Sequence, residues 1–165
     1  MFKLKNERGD HKIFEYDTHK FKFREFIEEL YNTNDLEHLY NLSIDYNNLK
    51  RTRVLEHYIV IDLSKKLNIN FDRAFLMHYN AGIGSVLHND NYSIEESREV
   101  FNAWKSSAVV FLNQEFDGGE LIYPNQGITI KPVTGNMVIA PADESAPHFV
   151  SPSSSDRYVL VLRII

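Results

Sequence analysis

From Asp72 to Ile164 the chain is a succession of short, largely apolar runs with a period of two, separated by turn residues. This feature constrains the fold more than any other. Such runs stand at 72–80 (DRAFLMHYN), 85–90 (SVLHND), 107–113 (SAVVFLN), 119–124 (GELIYP), 128–132 (ITIKP), 136–141, 148–151 and 157–164 (RYVLVLRI). A period of two is the strand period, because successive side chains leave opposite faces. Between the runs stand Asp117-Gly118-Gly119, Asn125-Gln126-Gly127, Thr134-Gly135 and SPSSSD at 151–156. The Gly118-Gly119 pair reads as a turn with no chemical role. All five prolines lie at or after Pro124, and six of the seven glycines lie at or after Gly82. About eight short strands with close turns predict a double-sheet jelly roll rather than a parallel sheet.

The first 70 residues have a different texture, with Gly9 as the one glycine and no proline. The stretch 21–32 (FKFREFIEELYN) spaces Phe23, Phe26, Ile27 and Leu30 at three and four, and 51–69 repeats that rhythm. Both predict helices, with connections at 32–35 and 47–48. The overall expectation is an α+β chain: a helical layer over 1–70 and a jelly-roll core over 72–165, forming one domain, 1–165. The stretch 91–106 is the longest connection in the second half and leaves directly from His88 and Asp90. Trp104 at its end suits either core or substrate contact.

Composition narrows the function. There is no cysteine, so disulfides, zinc–thiolate sites and iron–sulfur clusters are excluded, and any metal must take nitrogen and oxygen ligands. The net charge of −5 leaves no basic surplus for phosphates, so no nucleic-acid partner is expected. The start, MFKLKNERGDHK, lacks the apolar run of a signal peptide, and no stretch is long enough to span a membrane. A cytoplasmic protein is expected.

Within this frame the stretch 84–92 (GSVLHNDNY) presents an imidazole and a carboxylate two residues apart. On a strand, His88 and Asp90 face the same way and offer two ligands to a divalent ion. A third must come from elsewhere. Of the seven histidines, four lie in the helical half, and His78 adjoins Tyr79, so only one of those two faces inward. His148 opens a later strand and is the best third ligand. Two histidines and one carboxylate leave coordination positions open, the pattern of non-haem iron(II) oxygenases. Arg157 lies nine residues beyond His148. A buried guanidinium needs an anion and fits a carboxylate at two points. A dicarboxylate could bridge metal and Arg157; a surface pairing of Arg157 with Asp156 or Glu120 is the plain alternative.

The stretches 79–90 (YNAGIGSVLHND), 109–127 (VVFLNQEFDGGELIYPNQG), 131–150 (KPVTGNMVIAPADESAPHFV) and 156–162 (DRYVLVL) together resemble the 2-oxoglutarate/Fe(II)-dependent oxygenases of the prolyl 4-hydroxylase type. The resemblance implies a double-stranded β-helix with N-terminal helices packed on one sheet. It implies His88, Asp90 and His148 as iron ligands, and Arg157 and Tyr79 as holders of the distal carboxylate of 2-oxoglutarate. Ser107 and Asn113 are further candidates to line that pocket. The implied cofactors are Fe(II), 2-oxoglutarate and O2, with room for ascorbate. The implied reaction couples oxidative decarboxylation to hydroxylation of an unactivated C–H, in a peptidyl prolyl residue, an amino acid or another small molecule. The carboxylate at 90 favours hydroxylation, since related halogenases lack it. Two other readings stand beside this one. The stretch 135–148 also resembles a cupin motif, although cupins usually carry His-x-His where this chain has His-x-Asp. A metal-free jelly-roll binding module would leave Arg157 with no reason to be inside.

Overall fold

A strand can bury both of its faces when it is apolar at nearly every position and each face meets its own partner layer. The last strand does this. In the computed structural model, which describes residues 2–8, 11–16, 43–46, 48–91 and 104–165, Val159 and Val161 enter one buried cluster while Leu160 and Leu162 enter another.

The described strands are β1 (Phe2–Arg8), β2 (His11–Tyr16), β3 (Ser43–Tyr46), β4 (Leu49–Arg53), β5 (Phe71–Tyr79), β6 (Ser106–Phe111), β7 (Leu121–Tyr123), β8 (Ile128–Ile130), β9 (Asn136–Pro141), β10 (Phe149–Val150) and β11 (Arg157–Ile164). They form an antiparallel eight-stranded sheet, β1-β2-β9-β6-β11-β5-β4-β3, and a three-stranded sheet, β10-β7-β8. The inner cluster joins Tyr79, Phe111, Val138, Val159 and Val161 of the large sheet to Leu121, Tyr123, Ile128, Ile130 and Val150 of the small one. That is the sandwich of a jelly roll.

The outer face of the large sheet is covered by a helix, α1 (Tyr58–Leu67). Val60 and Leu63 of α1 share a buried cluster with Ala74, Leu76, Leu160 and Leu162. The helix stops at Asn68, which takes φ 54°, a left-handed conformation that asparagine tolerates. Lys65 and Lys66 in its last turn complement the helix dipole. Among the described residues no helix is long and apolar enough to cross a membrane.

The first half departs from the helical layer expected of it. It supplies four strands to the large sheet, with β1 and β2 beyond β9 and with β3 and β4 beyond β5. The helix expected over 51–69 begins only at Tyr58. Residues 49–53 instead pair with β5, and buried Thr52 stands opposite Leu76. Of the connection expected at 47–48, residue 47 lies outside the described residues; Asn48 takes φ 69°, and Tyr46 pairs with Leu49. The three-and-four spacing behind the expected helix starts at Val54, beyond the residues that pair with β5. The helix expected over 21–32 lies outside the described residues, as does most of the connection 91–106.

The expected strand 85–90 is less regular than predicted. Only His88 forms a bridge, to His148. Yet Gly82 N donates to Ser153 O (2.7 Å), Ser85 N to Val150 O (2.9 Å), and His88 and His148 exchange both backbone bonds (3.0 and 2.8 Å). The segment therefore lines the open edge of β10. Gly84 makes this approach possible, because a Cβ there would lie 2.3 Å from Val150 O and 3.1 Å from Pro152 N. Gly84→Ala is expected to push the two segments apart and lower stability by about 1–3 kcal/mol. A denaturant midpoint equal to wild type would show that the contact is not needed.

Candidate metal and dicarboxylate site

Because the two backbones exchange hydrogen bonds at His88 and His148, their side chains emerge next to each other; the ring centroids are 4.6 Å apart. Asp90 follows two residues on and is only 4% exposed. Its Oδ1 lies 3.9 Å from His88 Nε2 and 3.7 Å from His148 Nε2. One donor atom from each of the three residues falls within 4.8 Å of the others. Residues 88, 90 and 148 are thus brought together, although 58 positions separate Asp90 from His148 in the chain.

The rings are held in one orientation. His88 Nδ1 donates to Val86 O at 2.7 Å, and His148 Nδ1 donates to Ala146 O at 3.0 Å. A carbonyl only accepts, so each Nδ1 carries the proton, and in the neutral ring each Nε2 keeps its lone pair. Burial pushes the His148 pKa below its ordinary value, with the Asp90 charge opposing. His148 is therefore neutral near pH 7, the state a metal ligand requires. An N2O donor set with two preset lone pairs and one buried carboxylate fits a divalent transition metal.

The three residues face a cavity of about 70 Å³, partly open to solvent. Its far wall comes from the large sheet: Met77, Tyr79, Ser107, Val109, Val159 and Val161, with Arg157 and Arg163 at opposite ends of β11. Arg157 is 1% exposed and is the largest side chain in the fully buried set. Its Nε donates to Gly119 O at 3.1 Å, and its guanidinium sits 5.0 Å from the Tyr79 ring centroid. Its Nη1 has no hydrogen-bond partner among the described residues.

The carboxylates that could have paired with Arg157 at the surface do not. Asp156 instead takes His78 Nε2 at 2.8 Å and the Ala81 N–H at 3.0 Å. The hydrogen bond from His78 chiefly holds the Asp156 carboxyl below its usual range. His78 thus faces outward, stacked on Tyr158, while Tyr79 faces inward. Burial raises the Tyr79 pKa, with the Arg157 charge and hydrogen bond opposing. Tyr79 stays a neutral hydroxyl that can donate. Burial likewise lowers the Arg157 pKa, with Tyr79 opposing. A buried guanidinium with no counter-charge among the described residues, next to a donor hydroxyl, is a receptor for a carboxylate. Its unpartnered Nη1 and the nearby metal-type donor set fit a cosubstrate acidic at both ends.

Of the two lesser candidates, Ser107 lines the cavity and accepts from Arg163 Nη1 at 2.9 Å. Asn113 lies off it: its Nδ2 donates to Asp156 O and its Oδ1 accepts from Tyr158 N, pinning the entry to β11. Three contributors escaped sequence reasoning. Gly119 is more than a turn. Its carbonyl anchors Arg157, and a Cβ there would lie 2.7 Å from Phe116 Cε2 and 3.0 Å from Arg157 Cδ. Tyr123 of β7 is buried with its ring 5.1 Å from that of His148. Arg163 Nη2 lies 3.0 Å from Asp90 Oδ1. Period two from Arg157 would have placed Arg163 on the inner face; for Gly119 no local signal exists.

Comparison with known proteins agrees with this geometry. The 2OG-Fe(II) oxygenase superfamily matches residues 74–163. Among solved structures, a viral collagen prolyl hydroxylase from Paramecium bursaria Chlorella virus-1, in complex with 2OG, is similar with a TM-score of 0.69 at 16% identity, covering 94% of this chain and 95% of that one. A Trichoplax adhaerens prolyl hydroxylase in complex with a hypoxia-inducible-factor peptide fragment gives 0.68 at 15%, covering 94% and 83%. A Pseudomonas putida prolyl 4-hydroxylase gives 0.65 at 18%, covering 94% and 91%. At these identities the likeness shows the fold. No curated protein matches the sequence. The superfamily match spans more than half of the chain and includes His88, Asp90, His148 and Arg157, so the chain belongs to the 2OG-Fe(II) oxygenase superfamily.

Proposed function

We propose that this protein is a dioxygenase that hydroxylates an unactivated C–H, in a prolyl residue of a peptide or in an amino acid, with His88, Asp90 and His148 holding Fe(II) and with Arg157 and Tyr79 gripping the distal carboxylate of 2-oxoglutarate. The family's cofactors are Fe(II), 2-oxoglutarate and O2. The observation that carries the reading is the pairing, in one cavity, of an N2O donor set with a buried guanidinium that has no counter-charge among the described residues. In this reading the chain acts as one domain, 1–165, supported by strands of both halves joining one sheet.

When bound, the iron supplies the oxidising chemistry that couples loss of carbon dioxide from 2-oxoglutarate to insertion of one oxygen atom into the substrate. The chain's own residues do the rest. The two Nδ1–H donations keep the ligating lone pairs aimed at one point. Arg157 and Tyr79 orient the diacid so that its other end reaches the metal ligands. Val109, Val159 and Val161 form apolar walls that exclude water from the reacting centre. Two exposed apolar residues next to His88 in the chain, Val86 (80%) and Leu87 (57%), support an apolar, proline-like substrate. The three prolyl hydroxylases above share the fold, which is consistent with that substrate class.

The test is succinate release with Fe(II) and 2-oxoglutarate in the presence of proline-bearing peptides or free amino acids. Stimulation by a proline peptide, with one oxygen atom gained in its mass spectrum, is expected. Stimulation by neither class, alongside intact uncoupled turnover, would remove the substrate assignment and leave the dioxygenase.

A further inference from the structure

We propose that Arg163 is a positioning residue that holds Asp90 in its ligating orientation. The inference rests on the reading of His88, Asp90 and His148 as the metal ligands. Asp90 sits in a turn, beyond the His88–His148 bridge, so no strand ladder fixes it. Arg163 sits in β11, paired to Ser107 of β6 on one side and Arg73 of β5 on the other. A carboxylate on a turn is thus tied to a guanidinium on a central strand, the more rigid of the two supports.

The tie is itself braced. Arg163 Nη2 is 3.0 Å from Asp90 Oδ1, and Nη1 donates to Ser107 Oγ at 2.9 Å. The guanidinium lies 5.4 Å from the Trp104 ring centroid. Trp104 is buried and donates from Nε1 to Asp72 Oδ2 at 2.7 Å. Asn91, next to Asp90, donates from its backbone to Ala142 O (3.0 Å) and from its side chain to Trp104 O (3.2 Å). The oxygen that Arg163 grips is the one facing both histidine Nε2 atoms. A planar fork can hold Asp90 and Ser107 at once; an ammonium presents a single point.

The charge of Arg163 also repels a divalent ion, so deleting it mixes two opposing effects. Charge-preserving changes separate them. Arg163→Lys keeps the cation and loses the fork. Ser107→Ala keeps the arginine and loses its brace. Co(II) is titrated into the metal-free full chain, following affinity and the visible ligand-field spectrum. Arg163→Lys is expected to weaken Co(II) binding about tenfold, the scale of changes to groups that orient metal ligands, and to alter the spectrum. Ser107→Ala is expected to move both in the same direction by less. Urea midpoints identify any variant that does not fold, in which case Ser107→Ala decides alone. Wild-type affinity and an unchanged spectrum in a folded Arg163→Lys and in Ser107→Ala would overturn the proposal. His148→Ala, measured alongside, separates the two readings. If it loses Co(II) while the other variants do not, only the role of Arg163 fails. If it too binds normally, the ligand assignment fails with it.

Discussion

Replacing His148 with alanine is expected to reduce 2-oxoglutarate turnover by at least ~10³-fold, beyond the ~10–100-fold typical when a group that merely orients a ligand is lost. Two donors remain, His88 Nε2 and Asp90, and neither geometry nor charge can replace the third. The change costs the fold little: it removes one hydrogen bond to Ala146 O, worth about 1 kcal/mol, and part of the packing against Tyr123. Activity should therefore collapse while the unfolding midpoint moves slightly. The metal-free protein adds a second signature. The folded-state pKa of His148 is depressed, so the unfolded chain binds its proton first as pH falls. The stability contribution is complete above about 6.5, the ordinary histidine pKa, and is lost as pH falls through the lower folded value. His148→Ala should flatten that part of the pH–stability curve. Unaltered turnover in this variant would remove His148 from the site.

Arg157→Ala should separate the two halves of the site. On the proposed function Arg157 serves the diacid alone, through two charge-assisted hydrogen bonds to its distal carboxylate. Losing both is worth about 3 kcal/mol or more, a rise of at least ~100-fold in the KM for 2-oxoglutarate. Metal affinity should be kept, because no metal donor contacts Arg157. Arg157→Lys should recover part of the loss, since lysine keeps the charge without the fork. Because Arg157 is 1% exposed and packs on Tyr79 and Phe111, its truncation also leaves a cavity. KM is therefore measured on protein shown to be folded. A KM for 2-oxoglutarate that stays at the wild-type value would mean that the guanidinium serves packing only.

Much of the core and site was legible because the strands read as short apolar runs bounded by turn residues, within which alternate residues share a face. The expected bounds 136–141 and 157–164 coincide with β9 and β11. The same parity placed Tyr79 inside and would have placed Arg163 there. The edge strands were harder. Phe2-Lys3-Leu4-Lys5 alternates as a strand should, but a charged residue at every second position also suits a solvated helix. The scarcity of glycine and proline before residue 70 then favoured the helical reading, although long helices need no breakers and neither do edge hairpins turning on asparagine. Residues 51–53 were included in the expected helix only because its three-and-four rhythm, which starts at Val54, lies directly beyond them. The Arg157–Gly119 contact was beyond reach, since it depends on which strand ends meet across two sheets.

The central claim is that one cavity holds a metal through His88, Asp90 and His148 and a diacid through Arg157. Its most direct test is the visible spectrum of the protein mixed anaerobically with Fe(II) and then 2-oxoglutarate. A weak charge-transfer band should appear only when both are present, vanish in His148→Ala, and require far more 2-oxoglutarate in Arg157→Ala. No band in the folded wild-type protein at saturating Fe(II) and 2-oxoglutarate, or an equal band in His148→Ala, would contradict the account.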